Sequence, residues 1–291
     1  MGSGSMDQLK QMRDYRTSFP AASIDYDGQQ GAGRAVMWAM MSGKGGVGKS
    51  ILAGIFALEL ARMGYRTLFV DTDFSLPDAQ LLFDTANFVD PNAFIGRESA
   101  SNEKLASGID NLDVFIMQPQ SEPANPNALR CLDSLMQNLA ISYDFVLFDA
   151  TTGFSEMHRR LCRTLDLVSV VSMPDPASIT NAYALVKMIK MLFPQLHINV
   201  AMNRTQSRQD AIEAFAKLNL IVEHFLHFEA PLLCHIREEK KIKEKIQESL
   251  PLQFWPQNLT VFQSVQQILA QLAPQLRPDP HILQNSAKAI A

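Results

Sequence analysis

The sequence predicts an α/β fold, a mostly parallel, twisted sheet with helices on both faces. Three observations predict it. From residue 35 onward, short apolar runs alternate with helical stretches. The runs are apolar at nearly every position, as in strands that are buried on both faces. A glycine-rich loop joins the first run to the first helix, which is typical of a strand-loop-helix unit in such a sheet.

Apolar patterns along the chain predict each strand and helix in turn. The first unit is a strand at 35–41, a helix at 51–63 and a strand at 66–71. Further strands are predicted at 113–117, 143–149, 167–172 and 197–203, and helices at 126–140, 155–163, 178–193 and 208–218. The charged run at 237–249 is expected to be a solvated helix face rather than a binding patch.

The last predicted helix carries apolar residues at intervals of three and four positions between Val261 and Leu276. Its polar face is mostly glutamine and has almost no lysine or arginine, unlike an interfacial helix that is drawn to anionic lipid. We therefore expect it to dock on the core. Any membrane contact should be weak or come from the tail after Arg277.

Composition and domain organisation point to one globular unit with two appendages. Residues 1–5 look like a cloning remnant, 6–34 like a flexible segment and linker, 35–276 like the main domain and 277–291 like a tail. The net charge of −4 gives no general reason to expect nucleic-acid binding. Three widely spaced cysteines signal neither a disulfide framework nor a zinc site. With no signal peptide or long apolar run, a cytoplasmic protein is expected.

The glycine-rich loop carries a phosphate-binding motif. Gly43 to Ser50 fits G-x-x-x-x-G-K-[ST] and lies between a predicted strand and a predicted helix. Its backbone N–H groups would cradle phosphates, Lys49 would reach the β and γ phosphates, and the Ser50 hydroxyl would bind Mg²⁺. A glycine turn without a ligand is the alternative, but the Lys-Ser pair would then have no purpose. The motif leaves Lys44 unexplained.

Polar residues follow three predicted strands at the same edge of the sheet. Asp71 and Asp73 end the second strand next to the phosphate loop, and their side chains should point the same way. Asp149 ends a buried run, the form of a Walker B aspartate. Asn203 ends another strand, where its amide could pair with an adenine edge or could simply form a turn. For Asp71 a role in capping the following loop also stays open.

The stretch KGGVGKS resembles the deviant Walker A motif of the MinD/ParA group, in the SIMIBI class of P-loop NTPases. The resemblance implies a slow ATPase with ATP and Mg²⁺ as cofactors, which forms a homodimer when ATP is bound. Lys44 would reach across the dimer interface to the partner's nucleotide, as an arginine finger does in trans. Asp73 would orient the attacking water, so that Lys44, Lys49 and Asp73 are the catalytic residues.

The same resemblance assigns the ligand contacts. Mg²⁺ would be held by Ser50 and, through water, by Asp149, with Asp71 near the ion. Asn203 would contact the adenine, and Arg204 is a further nucleotide-binding residue. The remaining nucleotide-binding residues follow the loop in order: Gly43, Lys44, Gly45, Gly46, Val47, Gly48, Lys49, Ser50 and Ile51.

Two further stretches resemble the FlhG/FleN branch, the MinD-like ATPases that set flagellar number and position. PDPASITNAYALVKMIK at 174–190 resembles the branch's EPTSITDAYALIK segment. DQLKQMR at 7–13 resembles its DQAxxLR activator motif, with Asp7, Gln8, Met12 and Arg13 in register. The branch implies an FlhF-like GTPase partner that Asp7, Gln8 and Arg13 help to activate. It also implies contacts with a flagellar transcriptional regulator and C-ring proteins, at or near the inner face of the membrane.

Departures from the family pattern put the hydrolysis rate and the base contacts in doubt. The stretch 74–84 has Gln80 and Asp84 where the family has aspartate and glycine, and IREE at 236–239 lacks the proline of IPxD. DATTG stands in place of DxxAG after Asp149. A nucleotide-gated scaffold with negligible hydrolysis therefore stays possible.

Two other classes are weaker alternatives. A nitrogenase-reductase-like electron carrier needs cluster cysteines, yet none follows Asp149 until Cys162. A DNA-partition ATPase needs a basic surface to bind DNA. The chain is acidic overall and its lysines and arginines are scattered, so the sequence does not indicate such a surface.

Overall fold

A computed structural model of the chain describes residues 34–73, 76–85, 88–89, 105–117, 130–134, 136 and 142–277. Within these residues the strands, in chain order, are β1 (Val36–Ser42), β2 (Thr67–Asp71), β3 (Phe88–Val89), β4 (Ala106–Ile109), β5 (Leu112–Met117), β6 (Phe145–Thr152), β7 (Leu167–Ser172), β8 (His197–Thr205) and β9 (Leu232–Arg237). The helices are α1 (Lys49–Arg62), α2 (Ala79–Phe83), α3 (Glu156–Cys162), α4 (Pro176–Leu192), α5 (Arg208–Leu226), α6 (Lys240–Gln247) and α7 (Thr260–Leu276). A short 3-10 turn spans Leu252–Phe254.

The strands form one sheet in the order β3, β5, β2, β6, β1, β7, β8, β9, and each of these neighbouring pairs is parallel. The short β4 pairs antiparallel with β5. The predicted α/β fold with a mostly parallel sheet is therefore confirmed. Strand β1 lies between β6 and β7, so the loop that follows it opens at the centre of the carboxyl edge.

Both faces of the sheet are buried, which explains the apolar runs. Alternate residues of β1 enter two separate cores: Met37 and Met41 pack under α3, α4 and α5, while Trp38 and Met40 pack under α1 and α7. Trp38 also donates its indole N–H to the Ser169 hydroxyl at 2.8 Å. The sheet is thus held between two helical layers.

The C-terminal helix α7 packs on α1 and β9, as expected of a docked helix. Phe262, Val265, Leu269 and Leu272 are fully buried along its inner face. In the part of the chain that the structure describes, no helix combines the length and apolarity that crossing a membrane requires. The tail after Arg277 lies outside the described residues.

Arg277 ties the two ends of the described fold together. Its guanidinium donates to the Arg34 carbonyl at 2.8 Å and pairs with Asp144 at 3.3 Å, while Tyr65 donates its hydroxyl to the Arg277 carbonyl at 3.2 Å. All these residues lie at the amino ends of the parallel strands. The two ends therefore meet at the edge of the sheet opposite the phosphate loop.

Two sequence predictions need correction. Helix α5 runs to Leu226 rather than ending at 218, because Asn219, a residue that ordinarily disfavours helix interiors, is buried and accepts the Ala230 N–H at 3.1 Å. Strand β9 went unpredicted because Pro231 and a six-residue run give little local signal, yet it pairs with β8 along its length. The predicted helix at 126–140 lies partly outside the described residues, of which 130–134 and 136 are helical.

Candidate nucleotide site

The phosphate loop leaves β1 at Ser42 and enters α1 at Lys49. Gly46 and Gly48 have φ of 75° and 84°, the left-handed region that glycine adopts without strain. Gly43 lacks room for a side chain, because a Cβ there would lie 2.3 Å from the Asn181 carbonyl oxygen. Gly48 precedes the helix without a side-chain cap, so the first-turn N–H groups of α1 are left for an anion.

A cavity of about 240 Å³ lies against this loop at the carboxyl edge of the sheet. Its lining combines phosphate-loop residues with carboxylates and hydroxyls of three neighbouring segments: Ser42, Gly46, Val47, Gly48, Lys49, Ser50, Ile51, Asp71, Asp73, Asp78, Asp149, Thr151 and Thr152. Among these described residues Lys49 is the only cation, and it faces four aspartates. The site therefore favours an anion only if further positive charge arrives with it.

Lys49 and Asp149 form a buried ion pair beneath the loop, with side chains 11% and 3% exposed. Lys49 also lies 3.4 Å from the Ser50 hydroxyl. Burial raises the pKa of Asp149 above its ordinary value, and the Lys49 ammonium opposes the shift. Each of these buried charges is therefore paired, and loss of either partner would leave the other charge buried and uncompensated.

Asp71 lies next to Asp149 in the β2–β6 register. Its carboxylate accepts the N–H groups of Asp73 at 2.8 Å and Ala79 at 2.9 Å, so it holds the loop between β2 and α2. Burial, and then the charge of Asp149, raises the pKa of Asp71 to about 7. Asp71 thus performs the loop-capping role and still faces the cavity where a cation would relieve its charge.

The segment after Asp149 is fixed by a buried histidine. Ser155 donates its N–H to His158 Nδ1 at 3.0 Å, so Nε2 carries the proton and donates to the Thr151 carbonyl at 2.9 Å. Burial lowers the pKa of His158, which keeps the ring neutral. Gly153 donates its N–H to the Ser42 carbonyl at 2.9 Å. The Thr151 and Thr152 wall of the cavity is therefore braced from both sides.

Lys44 does not line the phosphate cavity. Its ammonium lies 3.0 Å from Asp175, whose carboxylate also caps α4 by accepting the Ser178 N–H at 3.0 Å. Burial of Asp175 acts the other way, but the hydrogen bonds from Lys44 and Ser178 lower its pKa. The stretch 174–190 therefore meets the phosphate loop twice, through Asp175 and through the Asn181 carbonyl against Gly43.

A second cavity, of about 270 Å³, adjoins the loop on the side of β8 and α6. It is lined by two glycines of the loop, six aliphatic side chains and six polar or charged ones: Gly46, Gly48, Ile51, Leu52, Asn203, Arg204, Ile236, Arg237, Glu238, Glu239, Ile242, Lys243, Ile246 and Val261. Asn203 donates to the Val47 carbonyl at 2.7 Å and accepts the Arg204 N–H at 2.9 Å. Each polar atom of its amide keeps bonding capacity for a base. Aliphatic walls with polar groups among them suit a flat heterocycle that carries hydrogen-bonding edges.

A family model for ParA, described as an NUBPL iron-transfer P-loop NTPase, matches residues 34–273. The chain belongs to the ParA family. It is 24% identical over 222 residues to the antiactivator FleN of Pseudomonas aeruginosa, covering 72% of this chain and 76% of FleN. It is 25% identical over 170 residues to the flagellum site-determining protein YlxH of Helicobacter pylori, covering 51% of this chain and 52% of YlxH.

Among solved structures, the ParA-family chain resembles the septum site-determining protein MinD of Pyrococcus horikoshii, which was solved with Mg-ADP. The TM-score is 0.67 at 20% identity, and the match covers 84% of this chain and 98% of that MinD. The likeness shows the MinD-like fold. Together with the family model, it confirms the expectation of a MinD/ParA-type P-loop NTPase.

The iron transfer in the family description finds no counterpart among the described residues. No group of three or more His, Cys, Asp or Glu side chains there could hold a metal ion. Cys131, Cys162 and Cys234 are buried free thiols, and burial raises the pKa of Cys162 and Cys234 to about 12. These cysteines do not fit a cluster site, because metal ligation requires accessible thiolates. Mg²⁺ fits better, since Ser50, Asp71 and Asp149 offer the oxygen ligands it prefers.

The ParA-family fold brings most predicted residues together. Lys49, Ser50, Asp71, Asp73 and Asp149 share the phosphate cavity, and Gly46, Gly48 and Ile51 border both cavities. Asn203 and Arg204 line the second cavity, while Gly43, Lys44 and Gly45 belong to the loop but do not line either. Asp7, Gln8 and Arg13 lie outside the described residues.

Sequence reasoning missed Asp78, Thr151, His158, Asp175 and Glu238. Asp78, in the altered 74–84 stretch, adds a carboxylate to the phosphate cavity and raises the pKa of Asp149 further, after burial. Thr151 lies within the DATTG stretch that departs from the family pattern, and His158 lies five residues beyond it. That departure could have directed attention to both residues. Asp175 and Glu238 lie in the stretches 174–190 and 236–239, which the sequence analysis compared with the family, but neither residue was given a role there.

The raised pKa of Asp71 predicts a pH-dependent stability of the nucleotide-free protein. The folded-state pKa of about 7 exceeds the ordinary value of 3.8. The contribution of Asp71 to stability is therefore complete below about pH 4 and lost as pH rises through about 7, at no more than about 1.4 kcal/mol per pH unit. Urea denaturation should show wild type losing stability relative to Asp71→Asn between these pH values.

The matched control is Asp110→Asn, at an exposed turn between β4 and β5. Its stability difference from wild type should be flat over the same range. A constant difference between wild type and Asp71→Asn from pH 4 to pH 7 would contradict the elevated pKa.

Proposed function

We propose that the chain is an ATPase that dimerises when ATP and Mg²⁺ bind. The observation that carries this is the charge of the phosphate cavity, where four aspartates face a single lysine among the described lining residues. A triphosphate adds more negative charge and needs cations to offset it. Mg²⁺ supplies one source, and Lys44 from a second copy supplies the other.

The position of Lys44 supports this arrangement. Its side chain is more than one-third exposed and is held by Asp175, a partner that is similarly exposed and can release it. Because Lys44 does not line the cavity of its own chain, it is available to reach a partner's nucleotide. A cation delivered in trans makes full charge compensation conditional on dimerisation.

The chain's own residues have distinct roles in hydrolysis. The loop N–H groups and Lys49 would bind the phosphates, and Ser50 and Asp149 would hold Mg²⁺, with Asp71 near the ion. When bound, Mg²⁺ supplies charge stabilisation at the phosphates. Asp73 faces the same cavity and would orient the attacking water. His158 donates to the Thr151 carbonyl and would keep this side of the phosphate cavity fixed during hydrolysis.

The biological role proposed is regulation of flagellar number and placement, together with a signal-recognition-type GTPase and flagellar regulators. Its support is the similarity to FleN and YlxH and the 174–190 stretch, which in this fold contacts the phosphate loop. The activator motif at 7–13 supports the choice of an FlhF-like partner. Weak contact at the inner face of the membrane belongs to the same proposal.

A nucleotide-gated scaffold is the second candidate, and Asp78 favours it. This exposed carboxylate lines the phosphate cavity and adds negative charge where charge accumulates during phosphoryl transfer. It would slow hydrolysis while binding and dimerisation persist. Phosphate release in a single turnover separates the two candidates.

Dimerisation should depend on both lysines in different ways. Lys49→Ala should weaken binding of Mg·ATP by about 10- to 100-fold, because a charged hydrogen bond to phosphate is lost. Lys44→Ala should bind ATP but remain monomeric in sedimentation. Lys187→Ala, which removes an exposed lysine of α4, should dimerise like wild type. An ATP-independent dimer, or a dimer of Lys44→Ala, is the outcome that rejects the trans arrangement.

Removal of the water-orienting carboxylate should trap the ATP-bound dimer. Asp73→Ala should keep nucleotide binding and dimerisation but lower single-turnover phosphate release by about 10²- to 10⁴-fold. Asp110→Ala should release phosphate at the wild-type rate. If wild type itself releases phosphate no faster than the Asp73 variant, the scaffold is the better description.

The flagellar role has its own test. A peptide of residues 6–20 should accelerate GTP hydrolysis by an FlhF-like GTPase by more than about ten-fold, since groups supplied in trans give about 10³- to 10⁵-fold elsewhere. The Gln8→Ala peptide is the matched control and should be inactive. Stimulation by the full chain but not by the peptide would show that the activating residues lie outside 6–20. No stimulation by either would reject the GTPase partnership.

A further inference from the structure

The end of strand β6 carries a β-bulge beside the phosphate loop. Met40 of β1 is in register with Asp149 of β6, whereas Ser42 is in register with Thr152. Strand β1 therefore advances two residues where β6 advances three, so β6 holds one extra residue. A bulge of this kind interrupts the alternation of side chains along a strand. Thr151 and Thr152 consequently both line the phosphate cavity, although successive residues of a regular strand face opposite sides.

Three hydroxyls of this cavity have no hydrogen-bond partner among the described residues. The Ser42 hydroxyl is buried and unpaired, and the Thr151 and Thr152 hydroxyls make no hydrogen bond to the described chain. The Thr152 hydroxyl also lies beside the loop, since a Cβ added to Gly45 would be 3.9 Å from it. Thr152 stands where the family pattern DxxAG has alanine, so its hydroxyl is a feature of this chain. This end of the cavity therefore offers more hydrogen bonds than the chain itself uses.

The position of the threonines relative to the two cavities indicates which part of a nucleotide they would meet. Both cavities are bordered by Gly46, Gly48 and Ile51. If the base of a nucleotide occupies the second cavity, its phosphates enter the phosphate cavity past these shared residues. The terminal phosphate then lies farthest from them, among the residues that line the phosphate cavity alone. Those residues include four aspartates, which cannot donate a hydrogen bond when ionised, whereas Thr151 and Thr152 can.

We propose that Thr152 donates its hydroxyl to the terminal phosphate of ATP and so lets the site distinguish ATP from ADP. This rests on the proposed function, in which ATP binding drives dimerisation. ADP has no phosphate at that position, so the hydroxyl gains no contact from it. A hydrogen bond to a charged phosphate oxygen is stronger than one between neutral groups. Thr152 therefore stabilises the ATP-bound chain selectively, and through it the state that dimerises.

Calorimetry with Mg²⁺ and either the β,γ-imido analogue of ATP or ADP tests this contact. The background is Lys44→Ala, which is expected to stay monomeric, so that dimerisation does not add to the apparent affinity. Thr152→Val should weaken binding of the ATP analogue by about 10- to 100-fold, the range for a hydrogen bond to a charged group, and leave ADP binding unchanged. Thr152→Ser retains the hydroxyl and should restore most of the preference for the ATP analogue.

Thr180→Val is the matched control, because Thr180 is exposed on α4 and donates its hydroxyl to the Pro176 carbonyl at 2.9 Å. It should change neither affinity. Unchanged binding by Thr152→Val, or equal weakening of both ligands, would overturn the inference and leave ATP binding standing. A loss of preference in Thr151→Val alone would also overturn it, by assigning the contact to the neighbouring hydroxyl. Failure of the Lys44→Ala chain and of wild type to bind either nucleotide would overturn the proposed function, and this inference with it.

Discussion

Negative charge at the carboxyl edge of the sheet is the constraint on which the site depends. Asp71 and Asp149 are adjacent in register and buried, and Asp73 and Asp78 join them at the same cavity. Lys49 offsets part of this charge from below. The unliganded protein therefore holds unfavourable electrostatic energy, which protonation of Asp71 or an incoming cation relieves. A phosphate ligand without a metal ion would add to the repulsion, so nucleotide and metal are expected to arrive together.

The phosphate loop is shaped by its neighbours as much as by its own glycines. The Asn181 carbonyl leaves no room for a Cβ at Gly43, and Asn203 does the same at Gly48 while it bonds to Val47. Asp175 holds Lys44 on the same side as Asn181. Helix α4 and strand β8 therefore form part of the phosphate site, although both lie more than a hundred residues along the chain. A movement of the loop at Gly43 toward α4 would therefore clash with the Asn181 carbonyl.

The parts of the molecule that depend on local sequence could be predicted. The apolar runs predicted the bounds of β1, β2 and β7 to within one residue. The spacing of the glycines predicted the phosphate loop with Lys49 and Ser50. What remained hidden depends on contacts between distant segments. The Lys44–Asp175 pair joins residues 131 positions apart, and the Arg204–Glu238 pair joins residues 34 apart across two strands. Lysine, arginine and carboxylate residues are common in any sequence, so nothing in the sequence marks these pairs. The order of the strands around β1 is what brings them together.

The junction formed by Arg277, Asp144 and Arg34 holds the two ends of the described fold side by side. It lies at the amino edge, separated from the phosphate loop by the seven residues of β1, or roughly 23 Å. If the segment before Arg34 and the segment after Arg277 each bind a partner, their common attachment point would place the two partners at high effective concentration. Two individually weak attachments at this junction would act as one strong one through avidity, and loss of either would weaken both.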